Sequence, residues 1–246
     1  MKQLKRLTSV LLVLGMVLGL MPLSAFAAEP AKKPFTEFTE VVDGNTYTYM
    51  PLDDDTVELT GFSTKATAVD AVIPSRVQGY SVTSIGSYVF FECTALKSVR
   101  FEASIKSIGS YAFYYCKELK SVQFKAPIES IEEGAFSSCE SLEEVKLPDS
   151  IKSIGTGAFL GCAELKTVNL GNSFVSIGDN AFALCKDLKS VTIPSSVQTI
   201  GAHAFGFGPG GENKQLVELH YTGTKAQWDE LAKENDFTDK NPLLTK

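Results

Sequence analysis

Five cysteines are the first residues of this chain that could do chemistry, and their spacing decides which chemistry. Cys93, Cys116, Cys139, Cys162 and Cys185 stand 23 residues apart. An odd count leaves at least one thiol out of any set of intramolecular disulfides. No C-x-x-C pair is present, and a linear ladder of single thiols does not offer tetrahedral ligands to a metal. Ladder neighbours stand within disulfide reach by distance alone. Side chains in register, however, point alongside one another rather than at one another. The expectation is five reduced, buried thiols that act as small hydrophobes, with pairing of ladder neighbours as the alternative.

The remaining candidates are weaker. A Ser-His-Asp or Cys-His centre needs a well-placed histidine, and the chain has only His203 and His220. His220 reads as an exposed polar residue on a strand. Asp53-Asp54-Asp55 lacks the acidic spacing of a calcium loop and reads as a solvated turn. Gly208-Pro209-Gly210-Gly211 is followed by no Gly-Lys-Ser/Thr, so it reads as a loop and not a phosphate cradle. No catalytic residue, metal ligand or cofactor site is assigned, and the chain reads as a non-enzyme.

The cysteines belong to a larger pattern that must position everything else. The same 23-residue step links Ile85, Ile108, Ile131, Ile154, Ile177 and Ile200, and also Phe90, Phe113, Phe136, Phe159, Phe182 and Phe205. Leu96 to Leu188 and Val99 to Val191 follow it too. The unit reads I-G-x-x-A-F-x-x-C-x-x-L-x-x-V-x-Φ, with Φ being Phe, Leu or Ile. A fixed period in the twenties predicts a repeat solenoid in which each unit is one coil. The segment L-x-x-V-x-Φ alternates apolar and polar residues, as a half-buried strand does. Stacked coils bring these strands into a parallel sheet at roughly 4.8 Å spacing. The A-F-x-x-C segment is expected to form a short helical turn. The I-x-S-I-G segment is expected to add a second short strand, with its Gly supplying a tight bend.

The core run Ala112-Phe113-Tyr114-Tyr115-Cys116-Lys117-Glu118-Leu119 and its counterparts resemble the BspA-like leucine-rich repeat family, a 23-residue subclass of bacterial secreted and surface proteins. The resemblance covers about residues 69 to 221. Coil one departs slightly, with Val89 in place of Ala. Pro148 and Pro194 match the Pro that often follows the strand, where Glu102, Lys125 and Gly171 stand in other coils. The resemblance implies a leucine-rich repeat with a parallel β-sheet on one face, and an adhesion or protein-binding role at the cell surface.

A solenoid exposes its core at both ends and needs caps. Residues 35–73 are expected to form an N-terminal β-meander, with Asp43-Gly44-Asn45 as one turn. Residues 74–221 are the solenoid of about six coils, with extra residues near Gln78-Gly79-Tyr80 expected to bulge as a loop. A Gly-rich insertion follows Phe205, and Gly208 stands where a sixth cysteine would fall. Residues 222–246 are the C-terminal helical cap and tail. There Thr224-Lys225-Ala226-Gln227 reads as a capping box, and Trp228, Leu231 and Ala232 share one helix face.

Met1 to Ala27 reads as a secretory signal peptide. Lys2, Lys5 and Arg6 precede the apolar run Leu11 to Leu20, and Ala25-Phe26-Ala27 supplies the cleavage pattern. Residues 28–34 are a short linker. Cleavage after Ala27 leaves 20 basic against 29 acidic residues, a net charge of −9. An acidic exported chain is a poor candidate for nucleic acid or an anionic membrane surface. No second stretch of about 20 apolar residues follows, so no membrane insertion is expected after processing. A monomer is expected, secreted or associated with the surface.

Two surfaces could hold a partner. Tyr88, Phe91, Tyr111, Tyr114 and Tyr115 lie outside the apolar columns of coils one and two, where coil three carries Gly134, Ser137 and Ser138. Exposed aromatics are common in binding hot spots. Coverage of the patch by the meander is the competing reading. The second surface is the outward strand column Arg100, Gln123, Lys146, Asn169, Thr192 and His220, beside a column of Ser98, Ser121, Glu144, Thr167 and Ser190. A third column, Lys97, Lys120, Glu143, Lys166 and Lys189, reads as a solvated rim relieved by nearby carboxylates. A host or cell-surface protein is the expected partner. The alternative is a glycan stacked on the aromatic patch.

Overall fold

Each 23-residue unit closes one coil by placing a short strand on either side of a stacked apolar core. The computed structural model describes residues 36–53, 55–206, 213, 215–216, 218–234 and 244–245. The signal peptide and linker therefore lie outside the described residues, as do Asp54, Gly208-Pro209-Gly210-Gly211 and most of the C-terminal tail. The described residues belong to one compact unit.

Three antiparallel strands open the described chain: β1 (Phe38–Val42), β2 (Asn45–Pro51) and β3 (Thr56–Ser63). This is the expected meander. The turn at 53–55 has a local cause. Asp53 Oδ1 accepts from the backbone N–H of Asp55 at 2.8 Å and of Thr56 at 2.6 Å. These bonds hold the Asp53 carboxyl below its ordinary range, the Asp55 amide contributing most.

Strand β4 (Val69–Ile73), expected within the cap, pairs parallel with β7 (Leu96–Phe101) in the second sheet. Its apolar residues Val69, Ala71 and Ile73 alternate inward like those of the coils. The expected bulge near Gln78 is instead a hairpin between β5 (Arg76–Val77) and β6 (Tyr80–Ile85). Gln78 and Gly79 both take positive φ, as a two-residue primed turn requires.

Thereafter every coil gives one strand to each of two sheets. The first sheet extends β3 through β6, β8 (Ile105–Ile108), β10 (Ile128–Ile131), β12 (Ser153–Ile154), β14 (Ser176–Ile177) and β16 (Thr199–Ile200). The second runs from β4 and β7 through β9 (Ser121–Phe124), β11 (Glu144–Lys146), β13 (Thr167–Asn169), β15 (Ser190–Ile193), β17 (Glu218–Tyr221) and β18 (Leu244–Thr245). All coil-to-coil pairings are parallel, with Val145 opposite Val168 and Ile131 opposite Ile154. The 23-residue register is thus the hydrogen-bond register. It yields a leucine-rich repeat solenoid with a parallel sheet on one face and a line of shorter strands opposite. The expected helical turn takes the form of consecutive tight turns, with N–H(i) bonded to C=O(i−3) at Cys116–Phe113 and Leu119–Cys116.

The core is a column of phenylalanines. Phe90, Phe113, Phe136, Phe159, Phe182 and Phe205 stack with centroids 4.7 to 5.8 Å apart and planes within 9°. The thiols sit beside this stack and donate to it. Cys116 Sγ lies 3.0 Å from the Phe90 carbonyl, and Cys139, Cys162 and Cys185 repeat the bond at 3.2 Å to Phe113, Phe136 and Phe159. The repeat's Gly serves close approach rather than a bend: a β-carbon at Gly109 would lie 2.7 Å from the Gly86 carbonyl carbon.

The ends are closed by aromatic side chains. Phe62 of β3 packs on Phe90 at 4.6 Å, covering the start of the phenylalanine column. At the far end, helix α1 (Lys225–Glu234) opens with the expected capping box. Thr224 N–H donates to Gln227 Oε1 at 2.8 Å, and Gln227 N–H to Thr224 Oγ1 at 3.2 Å. Trp228, Leu231 and Ala232 are buried, with Trp228 against Tyr221 at 5.4 Å. Among the described residues, no helix is long and apolar enough to cross a membrane.

Candidate functional site

In coils one to five the arc between the two sheets carries two left-handed residues. They fall at Tyr88 and Glu92 in coil one, at Tyr111 and Tyr115 in coil two, and at Gly134 and Ser138 in coil three. Positive φ turns alternate peptide planes toward the next coil. Tyr88, Phe90 and Glu92 accordingly donate to the carbonyls of Ser110, Ala112 and Tyr114 at 2.7 to 3.1 Å. Glycine takes this conformation without a side-chain clash, while an L-residue costs roughly 1–2 kcal/mol. Coils one and two place tyrosines at three of these positions. The repeat geometry does not call for them, since coils three and four use Gly134, Gly157 and Gly161.

All five aromatics gather on one face of this arc. Tyr88 stacks on Tyr111 at 5.4 Å and 14°, and Phe91 on Tyr114 at 5.3 Å and 16°. Tyr114 continues to Tyr115 at 5.9 Å. Tyr88 is 55% exposed, Phe91 42% and Tyr115 36%; Tyr111 and Tyr114 are half-buried. The described part of the meander leaves the patch open and packs on Phe90 instead.

Polar groups fix the rings. Tyr111 donates its hydroxyl to Glu133 Oε1 at 2.5 Å, and that bond raises the phenol above its ordinary value. The Lys117 ammonium lies 4.2 Å from the Tyr115 ring centroid and 2.9 Å from Glu140 Oε1. The bond to Tyr115 first, and that to Glu140 second, hold Lys117 above the usual lysine range. Sequence reasoning named the rings and missed Glu133, Lys117 and the seat at Gly134. No signal in a single sequence marks them, because Glu133 and Gly134 act on Tyr111 from the next coil and Lys117 is held between Tyr115 and Glu140 of the next coil.

The outward strand column forms as expected but is separate from the patch. Arg100 stands opposite Gln123, Lys146 opposite Asn169, and Thr192 opposite both Asn169 and His220. Arg100 pairs with Glu102 at 2.8 Å and Lys146 with Glu144 at 3.4 Å. Coils three to six carry a shallow polar depression of about 640 Å³ bordered by Lys146, Asp149, Asn169, Asn172, Thr192 and Thr222. The lysine column is partly neutralised: Lys97 bonds Glu118 at 3.0 Å and Lys166 bonds Glu143 at 2.7 Å. Each lysine lowers its partner's carboxyl pKa.

The cysteines offer no reactive centre. Cys116, Cys139, Cys162 and Cys185 are buried, and loss of solvation raises all four thiol pKa values, to about 12 for Cys185. Cys93 is half-buried and raised for the same reason. Among the described residues, no group of three His, Cys, Asp or Glu side chains could hold a metal ion.

Comparison with known proteins places this geometry. A family model described as "BspA type Leucine rich repeat region" matches residues 83–208 in six copies. Among solved structures, the T. pallidum leucine-rich repeat protein is 26% identical with a TM-score of 0.65, covering 81% of this chain and 97% of its own. A leucine-rich cell surface protein from Faecalibacterium prausnitzii A2-165 is 29% identical with a TM-score of 0.63, covering 78% of this chain and 49% of its own. A leucine-rich repeat protein from Bacteroides ovatus ATCC 8483 is 29% identical with a TM-score of 0.61, covering 74% and 46%. The chain thus spans about half the length of the last two. No curated protein matches significantly.

Proposed function

The chain belongs to the BspA-type leucine-rich repeat family, and from that premise we propose that it is an exported, non-enzymatic adhesion module. It binds a host or cell-surface protein through Tyr88, Phe91, Tyr111, Tyr114 and Tyr115. One observation carries this reading: Tyr88 and Tyr115 are exposed at left-handed positions that coils three and four fill with Gly134, Ser138, Gly157 and Gly161, and the stacked rings beside them form a continuous aromatic patch. Side chains kept at a backbone cost and in water are spent on something other than the fold. Tyrosine also buries a large area at low entropic cost, which suits a protein interface.

The glycan reading is weaker on geometry. Tyr88 and Phe91 turn one face each to Tyr111 and Tyr114, and their planes meet at 60°. That makes a corner rather than the flat platform on which a pyranose chain stacks.

The test is a binding screen of the purified protein against extracellular-matrix proteins and a glycan array. A protein ligand lost with Tyr111→Gly, Tyr114→Ser and Tyr115→Ser supports the reading. These substitutions copy coil three, or its counterpart Gly134, and so respect the coil geometry. A ligand retained in full by that variant removes the patch from consideration. Export through Met1–Ala27 is checked by N-terminal sequencing of protein from the culture medium, which should begin at Ala28.

A further inference from the structure

We propose that the aromatic patch takes an arginine-bearing basic segment of its protein partner, seated in the corner between Tyr88 and Phe91 under an acidic rim. This deepens the interaction reading above and rests on it. The first support is charge. Glu133 accepts the Tyr111 hydroxyl, Glu140 holds the Lys117 ammonium beside Tyr115, Glu92 stands at a left-handed position of the coil-one arc, and Glu132 directly precedes Glu133 in the chain. Lys97 pairs with Glu118 and Lys117 with Glu140. Among the described residues no cation pairs with Glu92, Glu132 or Glu133. These three carboxylates thus lack a counter-cation, although Glu132 accepts from the Ser130 hydroxyl, and apolar rings beside them lower the local dielectric and strengthen attraction to a cation.

The second support is a precedent within the molecule. Lys117 lies over the Tyr115 face with the Glu140 carboxylate on its ammonium. This is a complete cation seat: a ring below, a carboxylate beside. Glu92 occupies the coil-one position equivalent to Tyr115, and its N–H bonds the Tyr114 carbonyl at 2.8 Å, so the residue belongs to the same arc as Tyr88 and Phe91. Those two rings are 5.7 Å apart and inclined at 60°. Each keeps an exposed surface after stacking on its coil-two neighbour. Coil one thus carries two rings and a carboxylate residue on one arc, with Thr94 where coil two has Lys117. A guanidinium is planar, stacks on aromatic faces and loses less hydration than an ammonium, so arginine fits such a corner better than lysine.

The probe is a fluorescein-labelled nona-arginine peptide, titrated with the purified protein and read by anisotropy at physiological salt. Tyr88→Gly with Phe91→Ser should weaken binding by about tenfold or more. Tyr88→Phe with Phe91→Tyr should keep it. Glu92→Gln, Glu132→Gln and Glu133→Gln together should weaken it by about fivefold or more and flatten its salt dependence. A control triple, Glu144→Gln, Glu164→Gln and Asp187→Asn, removes equal charge away from the rings and should bind as wild type does. The proposal falls if the control triple loses as much as the rim triple, if the ring variant binds normally, or if nona-lysine binds as tightly as nona-arginine. The two readings separate on the partner found in the screen. A partner that needs the tyrosines and ignores the three glutamines leaves the interaction surface standing and overturns the basic-segment proposal.

Discussion

Tyr111 lies flat on Gly134: a β-carbon added at Gly134 would stand 2.5 Å from Tyr111 Cδ1, inside the ring's contact surface. Gly134 also has φ +58, so a side chain there meets both backbone strain and the ring. Gly157, one coil on, has φ +59, but its nearest neighbour is Leu160 Cβ at an ordinary 3.6 Å. The pair separates strain from collision. Gly157→Ala should cost about 1 kcal/mol in urea unfolding, and Gly134→Ala about 2–3 kcal/mol. In a Tyr111→Gly background the two penalties should become equal. Equal penalties in the wild-type background would show that the ring yields freely and has no seat.

Phe136 stands in the middle of the phenylalanine column, stacked on Phe113 at 4.9 Å and Phe159 at 5.3 Å. It is fully buried. Phe136→Ala should therefore cost about 3–5 kcal/mol, transfer and cavity terms together. In a solenoid that loss falls on two coil interfaces at once. Thermal and denaturant unfolding measure it, and a melting temperature within a degree of wild type would contradict the column.

Spacing alone made the coils legible, because each coil must repeat the same inward residues to stay in register. The columns of Ile, Phe, Leu and Val are found in the core, as are the cysteines from Cys116 to Cys185; Cys93, expected to be buried, is half-buried at the start of the ladder. Cross-coil polar relationships were not legible. Gly208 broke the cysteine column, yet the bond it would have made survives: Asn213 Nδ2 donates to the Phe182 carbonyl at 2.7 Å and to the Phe205 carbonyl at 2.8 Å. An amide from beyond the Gly-rich insertion replaces a thiol, which no fixed period reveals. The left-handed positions were hidden as well, since Tyr, Glu, Ser, Asn, Leu and His fill them alongside Gly. The candidate rings were visible as departures from the period. Their partners Glu133 and Gly134 were not, because they belong to the next coil.

The buried thiols should give the protein an alkaline limit. A thiol whose pKa is higher folded than unfolded holds its proton more tightly in the folded state. Its stabilising effect is full below the unfolded value near 9 and is lost as pH rises toward the folded value. For Cys185 that window runs from about 9 to about 12, with a slope of about 1.4 kcal/mol per pH unit. Urea unfolding under reductant between pH 8 and pH 10.5 should show stability falling, and Cys185→Ala should fall less steeply. Identical slopes would mean that the thiol does not titrate on unfolding. Without reductant, Ellman titration of denatured protein should count five thiols. Native protein should expose Cys93 at most, since only Cys93 is less than fully buried.

The final prediction sets the two candidate surfaces against each other. Tyr114→Ala with Tyr115→Ala removes rings that lie on the patch, one of them 36% exposed. Binding of the protein partner should weaken more than tenfold, over about 1.4 kcal/mol. The cost to folding should be small. Loss of aromatic contacts with Phe91 and Tyr111 is worth about 0.5–1.5 kcal/mol per pair, discounted for exposure. Because φ is +60 at Tyr115, alanine inherits the strain and does not add to it. Ser121→Ala with Thr167→Ala alters the outward sheet column, where small hydroxyls bury little area, and should change affinity by less than about twofold. The order of the two effects is the decisive quantity. If the sheet pair weakens the partner more than the tyrosine pair does, the interface lies on the strands, and the depression between Lys146 and Thr222 becomes the surface to probe.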